Sequence, residues 1–182
     1  MNKRIALFAV GLASAGVLAY GLLINATAQS APITDQQIER IKGSCLSAKN
    51  TLNQLHSSDA LLRVNGGQVY ESIASKLMKQ FNGRVSYNNF DSTDFTVTTG
   101  IYERTLDEFR LKYKAYEEQL SKALEIDCSK QPVAFYDAVA LSREKRAEVH
   151  AEVVKLHTSI DDYQTVFDQF SKQYQTTEKE KE

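Results

Sequence analysis

The residue types able to do chemistry in this chain are few and widely spaced: two cysteines, three histidines and a small set of acids and arginines on otherwise apolar stripes. Cys45 and Cys128 are the only cysteines. An even count in a chain with an export-type start reads as a disulfide. With no C-x-x-C motif, the bond reads as structural rather than redox-active. His150 and His157 are one heptad apart, about 10 Å along a helix, too far to share a metal. His56 lies lower still, so the expectation is no metal and no cofactor. Asp91-Ser92-Thr93-Asp94 lacks the alternating acids, glycine and terminal glutamate of a calcium loop. No phosphate-binding glycine loop, nucleophile elbow or H-E-x-x-H occurs. These patterns point away from an enzyme.

The elements that must position these residues are helices. From Phe135 the spacing of four and three gives Phe135, Val139, Ser142, Arg146, Val149, Val153, Leu156, Ile160, Tyr163, Phe167, Phe170 and Tyr174. A seven-residue repeat this long marks one helix burying a single stripe against partner helices. Thr34 and Gln37 form a capping-box start. A stripe of Ile38, Ile41, Cys45, Ala48, Leu52, Leu55 and Leu62 follows, continuing through Val69, Tyr70, Ile73, Leu77 and Phe81. Gly66-Gly67 interrupts it at a cost of about 2 kcal/mol against alanine, so both a single bent helix and two shorter ones remain open. Asn82-Gly83 reads as its C-terminal stop. Asp91 or Ser92 caps the next helix, with Phe95, Tyr102, Leu106, Phe109, Tyr113, Tyr116, Leu120 and Ala123 on one face. Pro132 suits the first turn of the last helix.

The fold expectation is therefore all-α: an elongated, coiled-coil-like antiparallel three-helix bundle over residues 34–175, preceded by an N-terminal hydrophobic helix. The expected helices are 34–82, 92–126 and 131–175, with a charged tail at 176–182. From Cys45 up the first helix and back down the second, both legs measure about 54 Å by helical rise, so the two sulfurs meet at one end. Measured from that end, Asp59, Arg143 and Arg146 fall at similar heights. That predicts a polar layer made of Asp59 with Arg146 or Arg143. Tyr87 and Phe90 sit in the distal connector. There, and where Phe167, Phe170 and Tyr174 overshoot the hairpin, a protein partner is expected to bind.

Lys3 and Arg4 precede an apolar run over 5–24, and Ala26-Thr27-Ala28 resembles a cleavage site. Residues 1–28 thus read as a signal peptide or a signal anchor, 29–33 as a linker, and the rest as extracytoplasmic. The run contacts membrane only if it is retained. A net charge of −1 with interspersed signs leaves no basic face for nucleic acid. Three segments, TLNQLHSSDALLRVNGGQVYES from Thr51, KLMKQFNGRVSYNNFD from Lys76 and IDCSKQPVAFYDAV from Ile126, resemble uncharacterised exported helical proteins of Saccharibacteria-type (candidate phyla) bacteria. The resemblance implies a bacterial cell-surface setting and transfers no functional residue. The functional expectation is a non-enzymatic interaction or structural module with a protein or envelope partner. The alternative is a ligand-binding or sensory ectodomain, which an inter-helix pocket near Gly66-Gly67 would favour.

Overall fold

The structure, a computed structural model, describes residues 33–179. The expected signal or anchor segment, its cleavage site, most of the linker and the last three tail residues lie outside the described residues. Those described are helical, with no strand among them. None of the described helices is long and apolar enough to cross a membrane.

The first arm is built from α1 (Asp35–Gly43), α2 (Cys45–Ser72), a π-helical stretch at Ile73–Met78, and α3 (Lys79–Tyr87). Thr34 opens it with the expected capping box: its hydroxyl accepts from the Gln37 N–H, and Gln37 accepts from the Thr34 N–H at 2.8 Å. The helix passes straight through Gly66-Gly67, which lie inside α2. It also runs past Asn82-Gly83, the expected stop, to Tyr87. Asn82 does not cap there, because its side chain is engaged with the other arms. The amide donates to Phe95 O at 3.1 Å and to Thr99 Oγ1 at 2.8 Å, and its carbonyl accepts from Tyr163 at 2.8 Å. The residue that ends the arm is Asn89, at φ 61°, a left-handed turn that asparagine tolerates better than most side chains.

α4 (Thr93–Glu125) starts where the Asp91 carboxylate accepts from the Thr93 N–H at 2.9 Å. It ends where Lys49 donates to the Ile126 carbonyl at 2.9 Å. α5 begins on Pro132 and continues to Lys179, four residues into the stretch expected to be a tail. At 1.5 Å per residue it is about 70 Å long.

Cys45 and Cys128 form a disulfide with Cα atoms 5.5 Å apart, joining the start of α2 to the turn after α4. Two apolar clusters fill the interior. The larger holds Ala74, Met78, Val85, Phe95, Tyr102, Leu106, Phe109, Leu156 and Tyr163; the smaller holds Tyr113, Tyr116 and Leu120. The stripe read from α4 is buried almost to the residue. The first arm departs from its expected stripe: Leu62, Val69 and Leu77 are exposed, while Ala74 and Met78 are buried. Bonds of the i to i+5 type in the π stretch turn the helix face by about one residue, bringing Ala74 and Met78 inward in place of Leu77. The Tyr102 hydroxyl, fully buried, donates to the Tyr70 carbonyl just before this stretch at 3.0 Å.

The disulfide closes a sequence separation of 83 residues. By the loop-entropy relation this corresponds to at most about 4–5 kcal/mol, and engineered bonds often deliver less. Reduction is expected to lower unfolding stability by about 2–4 kcal/mol, read as the shift in urea midpoint with and without reductant.

Candidate functional site

The expected polar layer forms around Asp59. Its carboxylate is only 10% exposed and ties all three arms together. Arg146 of α5 donates from Nε to Oδ2 at 2.9 Å and from Nη2 to Oδ1 at 3.1 Å. Tyr116 of α4 donates its hydroxyl to Oδ2 at 2.7 Å. Burial pushes the Asp59 carboxyl up, but the hydrogen bonds from Arg146 and Tyr116 and the adjacent guanidinium charge outweigh it. The net effect holds Asp59 below the usual carboxylate range. Burial and the same carboxylate push the Tyr116 phenol upward, so it stays protonated and donates. Arg143 makes no bond to Asp59, because Arg146 already occupies both oxygens. It stands exposed, with no ion pair among the described residues.

Above this layer α2 stands away from α5. No α2 Cα comes within 8 Å of an α5 Cα, although α2 packs on α4 and α4 packs on α5. The reason is in the face that α2 turns toward α5, which reads Asp59, Leu62 and Arg63, Gly66, Tyr70 at steps of three and four. A carboxylate stands at one end, a large ring at the other, and the smallest residue lies between. α5 answers with Arg146, Ala147, Val149, His150 and Val153. Tyr70 Oη approaches His157 Nε2 at 3.2 Å, making a second link across the gap. Both links join residues 87 apart in sequence, so α2 and α5 run side by side in one register. Eleven residues separate the links on each helix, about 16 Å.

Between the two links lies a cleft of about 610 Å³. Its floor is Phe109, Tyr113 and Tyr116 of α4, its walls come from α2 and α5, and Arg63, Arg143 and Arg146 line it. The Arg63 guanidinium carbon sits 5.4 Å from the centroid of the Tyr113 ring. Glycine is not needed here for close approach. A methyl group on Gly67 would meet nothing within 4 Å, and one on Gly66 only the Tyr70 ring at 4.0 Å. What Gly66 contributes is empty space.

No protein-family model matches the chain, and no curated protein or solved structure is significantly similar to it.

The remaining expected contact residues behave differently. Phe90 folds back onto Phe170 and Tyr174, with ring centroids 5.6 Å away in both cases. Phe167 and Phe170 pack on Phe81 at 5.2 and 6.0 Å. Because the first arm reaches Tyr87 rather than Phe81, α5 does not overshoot it at Phe167; these rings pack on one another, while Phe90, Phe167 and Tyr174 keep 39%, 40% and 42% of their surface exposed. Tyr87 is the most open, 87% exposed. His56 faces Glu117 at 4.0 Å. The described residues contain no group of three or more metal-ligating side chains. Three participants carry no signal of their role in the sequence: the spacing of Tyr116 marks it only as a core residue, and no motif marks Tyr70 or His157.

Asp59→Asn removes the charge while keeping the shape, and leaves Arg146 and Tyr116 poorly matched. A loss of about 1–3 kcal/mol is expected in denaturant unfolding at pH 7. The wild-type contribution has a definite pH sign. Because the folded-state pKa of Asp59 lies below the unfolded value, its stabilisation is complete above about pH 5 and fades as pH falls through the folded pKa. The variant should therefore show a flatter acid limb. Gly67→Ala, in contrast, is expected to stabilise by about 0.5–1 kcal/mol through helix propensity alone, seen as a raised urea midpoint.

Proposed function

We propose that the protein is a non-enzymatic, extracytoplasmic ligand-binding module, an elongated antiparallel three-helix bundle whose binding site is the cleft between α2 and α5. The observation that carries this reading is the cleft itself: about 610 Å³, floored by aromatic rings, at the one level where the inward face of α2 is glycine. Sites for small molecules commonly have about 300–1,000 Å³, apolar linings and a few placed polar groups. The polar groups at this cleft suit holding better than turnover. Asp59 is kept ionised by Arg146 and Tyr116, and Tyr116 is kept protonated, so neither is poised to exchange a proton near neutrality.

The extracytoplasmic setting is supported by the basic-then-apolar start of the chain and by the disulfide, a bond that persists in oxidising compartments. The bundle arrangement is supported by contacts that run from the disulfide end to the Phe81–Phe95 end. A bacterial surface, tethered or released, is the proposed location. One observation favours a second reading, in which a protein partner docks at the distal turn: Tyr87 projects there with nothing packed over it.

The full chain, isolated from its own cells and weighed by native mass spectrometry, should carry a small-molecule adduct. Gly66→Phe, which fills the cleft from an otherwise open face, should abolish that adduct while leaving the disulfide intact. An adduct unchanged by Gly66→Phe would refute the site. Recovery of the chain in the cytosol with both thiols free to alkylate would refute the setting.

A further inference from the structure

The charges around the cleft say what kind of molecule it suits. Three arginines and one aspartate line it, a surplus of two positive charges, in a chain whose overall charge is −1. The aspartate is fully committed: both its oxygens are taken by Arg146, and one also by Tyr116. Arg63 and Arg143, on opposite walls, have no acidic partner among the described residues. Nearby on α4 and α5 the pattern is different, since Lys112 and Lys145 both bond Glu148. Arg63 is also held at the cleft rather than trailing into solvent, by its position over the Tyr113 ring. Below these two cations the surface is apolar: Leu62, Phe109, Val149 and Val153.

An apolar trough with two unmatched guanidiniums toward its Asp59 end is complementary to an amphiphile with one negative head. We propose that the cleft binds a single-chain carboxylic acid of the fatty-acid class. Its chain lies along the α4 rings between the two cross-links, and its carboxylate is received by Arg63, with Arg143 adding positive charge beside the Asp59–Arg146 pair. This rests on the ligand-binding reading above and names the ligand class for the same site. The planar guanidinium fork matches a carboxylate in two-point geometry. A cationic amphiphile would face the surplus positive charge.

The test uses the full chain in envelope membranes and a photoreactive diazirine analogue of decanoic acid, with cross-linked peptides mapped by mass spectrometry. Label is expected on the peptides carrying Leu62, Phe109 or Val153, and unmodified decanoate should compete it away. The double variant Arg63→Gln/Arg143→Gln should label about tenfold less, the scale of losing a charge-assisted hydrogen bond, and the Arg63→Lys/Arg143→Lys variant should recover much of it. Both arginines are exposed, so the double variant should keep the wild-type melting temperature. The analogous diazirine alcohol should also label about tenfold less than the acid. Equal labelling by acid and alcohol, or by wild type and the glutamine variant, would overturn the carboxylate proposal and leave the cleft as an apolar site. Label confined to residues 1–28 would show membrane partition alone and overturn it too. Absence of cleft label from either probe, together with absence of a co-purifying adduct, would overturn the ligand-binding reading as well.

Discussion

The Asp59 carboxylate is the point on which the middle of this molecule depends. Around it all three arms meet through directed bonds, two from Arg146 and one from Tyr116. Apolar packing could bring α2 onto α5, but it has no preferred distance. A bidentate ion pair does, and it holds a long arginine between the helices where two small residues would let them close. Such layers commonly specify register more than they add stability. Here the register is visible twice, since the Tyr70–His157 link repeats the same offset eleven residues on.

The cleft follows from that spacing. α4 supplies a continuous aromatic floor, because its stripe is regular and packs against both neighbours. α2 and α5 rest on that floor without touching each other's backbones. Gly66 leaves one wall without a side chain opposite Val153, and the gap stays open. Beyond Tyr70 the architecture changes. The π stretch rotates Ala74 and Met78 into the core, Asn82 knots the three arms with hydrogen bonds, and a cluster of phenylalanines closes the distal end. The interior is thus tight above the cleft and tied by the disulfide below it, leaving one loose section between.

Much of this was legible in residue spacing, for identifiable reasons. Helical rise is constant, so counting from the two cysteines placed Asp59 opposite Arg146 correctly. The same count puts Tyr116 twelve residues from Cys128 and Asp59 fourteen from Cys45, close enough in height that the phenol could have been added to the pair. It was overlooked because a tyrosine on an apolar stripe reads as core. The misplacement of Leu77 in the first arm has another cause. A periodic stripe assumes uniform winding, and Ile73–Met78 is wound differently, so Leu77 was placed inward in error. Asn82-Gly83 has the composition of a stop, but tertiary hydrogen bonds from Asn82 override that local preference. Gly66-Gly67 carried a weak signal whose meaning, missing volume at one height, depends on which residues stand opposite.

A double-mutant cycle on Asp59→Asn and Arg146→Gln, followed by urea unfolding, is the most direct test of the claim that this pair holds α2 and α5 in register. A coupling energy of about 0.5–3 kcal/mol is predicted, the range for residues in contact within one hydrogen-bonded network. Additive effects, with coupling within about 0.3 kcal/mol of zero, would mean that the pair is incidental and that something else keeps the cleft open.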